Sequence, residues 1–143
     1  MHRFMYTISL YLHAQMVEDC KLFHTASPGF IYATVLKLNL MIVSPGDFIV
    51  HKDEPADELY FITRGKAGVI SEEGKILVLF KKGSYFGEIG IVLGRNRSST
   101  VKALTFCELY ALHREDFQII CSEFPEEAEI IKKIAEARAG QVI

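Results

Sequence analysis

The chain has 143 residues, half of them hydrophobic and 24% charged, with a formal net charge of −2. That length suits one domain with a real core rather than two, and the composition is that of a soluble globular protein. No run of Lys and Arg offers nucleic acid an electrostatic footprint. Cys20, Cys107 and Cys121 and the five histidines are scattered, which argues against a disulfide framework or a metal centre and suits a reducing compartment.

Residues 4–40 read mainly as helix. Met5, Ile8, Leu12 and Met16 recur at three- and four-residue steps, as on one face of a helix. The uncharged run from Phe4 to Val17 is diluted by Thr7, Ser9, His13 and Gln15 and is too short to span a bilayer, so neither a signal peptide nor direct membrane insertion is expected. A break is predicted around Asp19-Cys20-Lys21. A second helix follows, capped by Ser27 with Pro28 in its first turn, and Phe30, Ile31, Val35, Leu36 and Leu38 form its buried face.

Residues 41–112 read as strands. Short β-rich runs at Met41–Val43, Phe48–Val50, Leu59–Ile62, Val69–Ile70, Ile76–Phe80, Thr100–Leu104 and Glu108–Leu112 are separated by turn signals at Gly46, Gly65, Gly74 and Gly83. Many short strands at this spacing suggest a sandwich or jelly-roll barrel. Helical pattern returns from Arg114, with Phe117, Ile120 and Cys121 facing one way. Pro125 starts a last helix that has Glu126, Glu127 and Glu129 near its N-terminus and Lys132, Lys133 and Arg138 further on. The predicted class is α+β: an antiparallel β jelly-roll barrel flanked by N-terminal helices and two C-terminal helices.

The most informative stretch is Phe86-Gly87-Glu88-Ile89-Gly90, followed by Arg97-Ser98-Ser99-Thr100-Val101. A glycine lets backbone approach a ligand closely. A guanidinium offers a planar fork to phosphate oxygens. An ionised glutamate only accepts hydrogen bonds, which suits a hydroxyl donor and repels a phosphate. Together these residue types suit a compact ligand that carries both a phosphate and a sugar hydroxyl.

With these two blocks, the chain resembles the cyclic-nucleotide-binding domain, and within it the channel branch of cyclic-nucleotide-gated, hyperpolarisation-activated and related potassium channels. Supporting blocks are Leu10-Tyr11-Leu12-His13 with Cys20-Lys21-Leu22-Phe23, Ser44-Pro45-Gly46-Asp47, Leu59-Tyr60-Phe61-Ile62 with Arg64-Gly65, and Phe106-Cys107-Glu108-Leu109-Tyr110 with Asp116-Phe117. The resemblance runs from about residue 7 to about residue 139. It implies N-terminal linker-end helices over 1–24 and a cyclic-nucleotide-binding domain over 25–143, with a β-roll over about 41–112 and C-terminal helices over about 114–139.

The resemblance also implies the site. A short helix beginning at Gly87 would turn the amides of Gly87, Glu88, Ile89 and Gly90 toward the cyclic phosphate, and Glu88 would take the ribose 2′-hydroxyl. Arg97 would pair with the phosphate, with Ser98 and Ser99 adding a hydroxyl and amides. Arg138 would lie over the purine, and Val69, Val78 and Ile89, with Val142, would supply apolar walls. Charge-assisted hydrogen bonds contribute about 1.5–3 kcal/mol each, so several of them plus a buried purine face can reach the ~8 kcal/mol of a micromolar site. Gly90 departs from the family, which more often has an apolar side chain there, and is expected to loosen the short helix.

The implied function is regulatory, not enzymatic. The ligand is cyclic AMP or cyclic GMP, with no cofactor or metal. The setting is the cytoplasmic side of a membrane, in a tetrameric cation channel whose other chains are met through the linker. A ligand-free homology domain with the same fold is the main rival. A transcription regulator would need a helix-turn-helix after the last helix, and a jelly-roll metalloenzyme would need clustered His and carboxylate ligands; neither is expected.

Overall fold

In the computed structural model, which describes residues 13–139, residues 13–18 are helical and the chain breaks at Asp19 and Cys20 before a 3-10 turn, Lys21–Phe23. Val17, Cys20, Leu22 and Phe23 are fully buried and anchor this segment. Met16 packs at the edge of the core; Met5, Ile8 and Leu12 lie outside the described residues. Helix α1, Pro28–Val35, starts as its sequence demands. The Ser27 hydroxyl accepts a hydrogen bond from the Phe30 N–H (3.3 Å), and Pro28 occupies the first turn, where its missing N–H costs nothing. Phe30, Ile31 and Val35 face inward. Leu36, expected inward, is 57% exposed because the helix ends at Val35 and Leu36 falls on its C-cap.

Among the described residues eight strands form two antiparallel four-stranded sheets. Strands β1 (Asn39–Val43), β8 (Cys107–His113), β3 (Glu58–Arg64) and β6 (Tyr85–Phe86) make one, in that spatial order. Strands β2 (Phe48–Val50), β7 (Thr100–Ala103), β4 (Ala67–Ile70) and β5 (Ile76–Phe80) make the other. The strand region thus opens at Asn39 rather than at 41, and β6 adds a two-residue strand that periodicity could not signal. The four turn glycines all have positive φ.

Alternation along β3 organises the core. Tyr60 and Ile62 point between the sheets, where they meet Val50, Ala67, Val101, Ala103, Leu109 and Ala111. Leu59 and Phe61 point the other way and pack with Phe23, Phe30, Leu112, Phe117 and Ile120. A strand covered on both faces reads as a continuous apolar run, and Leu59–Ile62 is buried throughout.

Among the described residues three further helices follow: α2, Glu88–Leu93, between β6 and β7; α3, Arg114–Glu123; and α4, Pro125–Ala139. Ile131 and Ala135 seat α4 in the outer core. Each large side chain buried there contributes about 1.5–3 kcal/mol. The architecture is the expected α+β jelly-roll. Among the described residues no helix is long and apolar enough to cross a membrane.

Candidate functional site

Gly87 links β6 to α2 in the left-handed conformation, φ 89°. A Cβ there would overlap the Arg97 guanidinium and come within 2.8 Å of the Glu58 carbonyl oxygen, so only glycine lets this turn lie against Arg97. Glu88 opens α2, and its side chain is 12% exposed. Burial raises its carboxyl pKa above the ordinary value; the backbone hydrogen bond at Glu88 and the nearby Arg138 partly offset this. Arg138, in the last turn of α4, brings Nη2 to 3.7 Å from Glu88 Oε1.

Arg97 is buried, with 8% of its surface exposed. Its Nη2 donates to the Glu58 carbonyl oxygen at 2.7 Å, and its Cζ lies 5.6 Å from the centre of the Tyr60 ring. That ring stacks on Phe86 (5.1 Å between centroids), which stacks on Phe80 (5.0 Å), and the Tyr60 hydroxyl donates to Glu58 Oε1 at 2.9 Å. Burial pulls the Arg97 pKa down, while Tyr60, Glu58 and Asp57 act the other way. Arg97 Nη1 is buried and has no hydrogen-bond partner among the described residues. A desolvated, half-satisfied guanidinium is costly by itself and suits an incoming anion.

Both charged groups face one cavity of about 610 Å³, a size typical of small-molecule sites. All ten residues singled out from the sequence line it: Gly87, Glu88, Ile89 and Gly90 from the start of α2, Arg97, Ser98 and Ser99 from the loop before β7, Val69 and Val78 from the sheet, and Arg138 from α4. Val69 and Val78 are direct cross-strand partners on β4 and β5, which is why two residues nine apart share a wall. Ser98 sits exposed at the rim and Ser99 is half-buried. Val142 lies outside the described residues.

Sequence reasoning missed several lining residues. Ala56, Phe80 and Asn96 carried no signal. Tyr85 and Phe86 also border the cavity, and Phe86 is buried in the inter-sheet core as well. Glu58, whose carbonyl holds Arg97, lies 39 positions away in sequence. Gly90 does not simply loosen α2. Helical bonding continues through it, with Gly94 N–H donating to Gly90 O at 2.8 Å, and its bare Cα lies against Ala56.

A sequence model of the cyclic nucleotide-binding domain matches residues 40–124, from β1 through α3 and across the whole cassette. The chain belongs to the cyclic nucleotide-binding domain family. It is 34% identical over 128 residues to the human potassium/sodium hyperpolarization-activated cyclic nucleotide-gated channel 1, covering 90% of this chain and 14% of that protein. Against the human cyclic nucleotide-gated channel alpha-2 it is 29% identical over 143 residues, 95% of this chain and 21% of that protein. Against the human cyclic nucleotide-gated channel alpha-3 it is again 29% identical over 143 residues, 95% of this chain and 20% of that protein. The chain therefore spans about a fifth or less of the length of these relatives, which are channels by name. In this cyclic nucleotide-binding domain, α4 and Arg138 lie beyond the stretch that the family model matches. Among the described residues no group of His, Cys, Asp and Glu is arranged to hold a metal.

Proposed function

We propose that this domain binds cyclic AMP or cyclic GMP in the 610 Å³ cavity and transmits binding to a cation channel through movement of α4. One observation carries the assignment: a buried guanidinium, its Nη1 unpartnered among the described residues, and a largely buried carboxylate border the same cavity. Arg97 would take the cyclic phosphate from one side, helped by Ser98, Ser99 and the backbone of Gly87, Ile89 and Gly90. Glu88 would accept from the ribose 2′-hydroxyl, and Arg138 would cover the purine beside the Val69–Val78 wall. The domain would act at the cytoplasmic side of a membrane, in a tetrameric channel related to potassium channels, with residues 1–24 passing the motion on.

Mechanistically, only differential affinity does work on a gate. A ligand that touches both the cassette and α4 favours the arrangement in which α4 lies close. Glu88 and Arg138 already meet across that junction, so a bound ribose would compete for the carboxylate and re-aim Arg138 rather than recruit it from solvent. Calorimetry with both nucleotides tests the assignment, and competition between them ranks the two. Saturable heat with one or both supports it. No heat and no rise in melting temperature up to millimolar nucleotide would assign the chain to the ligand-free homology domains instead.

A further inference from the structure

We infer that Gly90 is a positioning residue: its missing side chain seats the segment between β2 and β3 against α2, and that segment holds Arg97 in place. The contact is one of backbone and methyl. A Cβ on Gly90 would overlap the Ala56 Cβ and lie 3.4 Å from the Arg95 carbonyl oxygen. Ala56 is itself buried, so it has nowhere to retreat without moving its own segment. That segment grips the phosphate-side loop by its backbone. The Asp53 N–H donates to the Arg97 carbonyl oxygen at 2.9 Å, the Arg97 N–H donates to the Glu54 carbonyl oxygen at 2.7 Å, and Pro55 and Asn96 form an antiparallel bridge. Asp53 adopts φ 72°, a conformation unusual outside glycine and Asn or Asp, at the point where these bonds form.

The geometry therefore forms a chain: Gly90 admits Ala56, Ala56 carries the clamp of 53–55, and the clamp fixes the backbone of Arg97. The Arg97 side chain is fixed separately, by the carbonyl of Glu58 where β3 begins. A side chain at position 90 would lift the clamp off α2 while leaving the sheets paired, because neither Gly90 nor any residue of 53–56 belongs to the inter-sheet core. Its expected signature is loosened backbone at Arg97 and weaker grip on an anion, not general unfolding.

The inference rests on the cyclic-nucleotide site proposed above for its affinity arm, so the experiment carries a second arm that needs no nucleotide. Gly90→Ala, Ala56→Gly, the double variant and Ala56→Val are compared in the full chain by calorimetry with cyclic AMP and cyclic GMP, and by amide hydrogen exchange without nucleotide. Gly90→Ala is expected to weaken binding about tenfold or more, from overpacking at a tight contact. It should also speed exchange of the Asp53 and Arg97 amides about tenfold while the Leu109 amide on β8 keeps its protection. Adding Ala56→Gly makes room for the new methyl and should return both values to within about threefold of wild type. Ala56→Val overpacks the contact from the other side and should reproduce the defect, which covers the case in which Gly90→Ala fails to fold. Unchanged exchange at Asp53 and Arg97 in Gly90→Ala or Ala56→Val, or no rescue in the double variant, overturns the positioning role. A wild-type chain that binds neither nucleotide sinks the site assignment, and the exchange arm then decides the clamp alone.

Discussion

Replacing Arg97 by alanine separates a ligand-binding arginine from a structural one. Among the described residues the guanidinium has one charged hydrogen bond, to the Glu58 carbonyl, and one ring contact, to Tyr60. Losing these costs about 1.5–3 kcal/mol for the bond and roughly 0.5–2 kcal/mol for the ring contact. Against that, the substitution removes a buried cation with an unpartnered Nη1, a desolvation penalty of several kcal/mol in order of magnitude. The two nearly cancel, so the melting temperature without nucleotide should move by no more than about 4 °C in either direction. Binding has no such compensation. A cyclic phosphate deprived of two charge-assisted bonds loses about 3 kcal/mol or more, at least a hundredfold in Kd. Arg97→Lys keeps a charge but not the planar fork and should fall between the two. Calorimetry gives Kd, and differential scanning fluorimetry gives the melting temperature. A Kd within threefold of wild type would refute the assignment, as would a collapse in melting temperature with affinity retained in the folded fraction.

Glu88 supplies a pH test. Its folded carboxyl pKa is raised above 4.5, so the folded state holds this proton more tightly than the unfolded state. Stability should therefore decline as pH rises from about that value through the raised one, and Glu88→Gln should remove that part of the slope in urea midpoints measured against pH. A slope unchanged by the substitution would show that the burial of Glu88 is not felt. Truncation after Ala135 keeps Ile131 and Ala135 in the outer core but removes Arg138. It should weaken nucleotide binding by about tenfold with cooperative unfolding preserved, and full affinity in the shortened chain would rule out a contribution of the end of α4 to holding the ligand. Ser98→Ala, at the exposed cavity rim, should weaken cyclic GMP more than cyclic AMP, since the family resemblance implies that a hydroxyl there can meet the guanine amino group. Equal losses in paired titrations would end that selectivity argument.

The legibility of this chain divides by range. The Ser27 cap, the Pro28 and Pro125 helix starts and the turn glycines were readable because each is decided within three or four residues by hydrogen bonding or by allowed φ. The cassette was readable because Gly87, Glu88 and Arg97 lie in one short stretch whose residue types already state a chemistry. Leu36 misled because apolar spacing does not report where a helix stops. Strand β6 was missed because two residues cannot show a period.

Residue order alone determined which groups this domain can offer an anion and a sugar, since local spacing places a flexible backbone, a carboxylate and a guanidinium on one turn and the loop after it. Only the tertiary structure decided how those groups are held. Glu58 and Arg97, Glu88 and Arg138, Gly90 and Ala56 are distant along the chain and meet because two sheets and a terminal helix close around one cavity. Such meetings depend on burial and long-range packing, in which a glycine that looks like a weakness in a helix proves to be the space another segment fills.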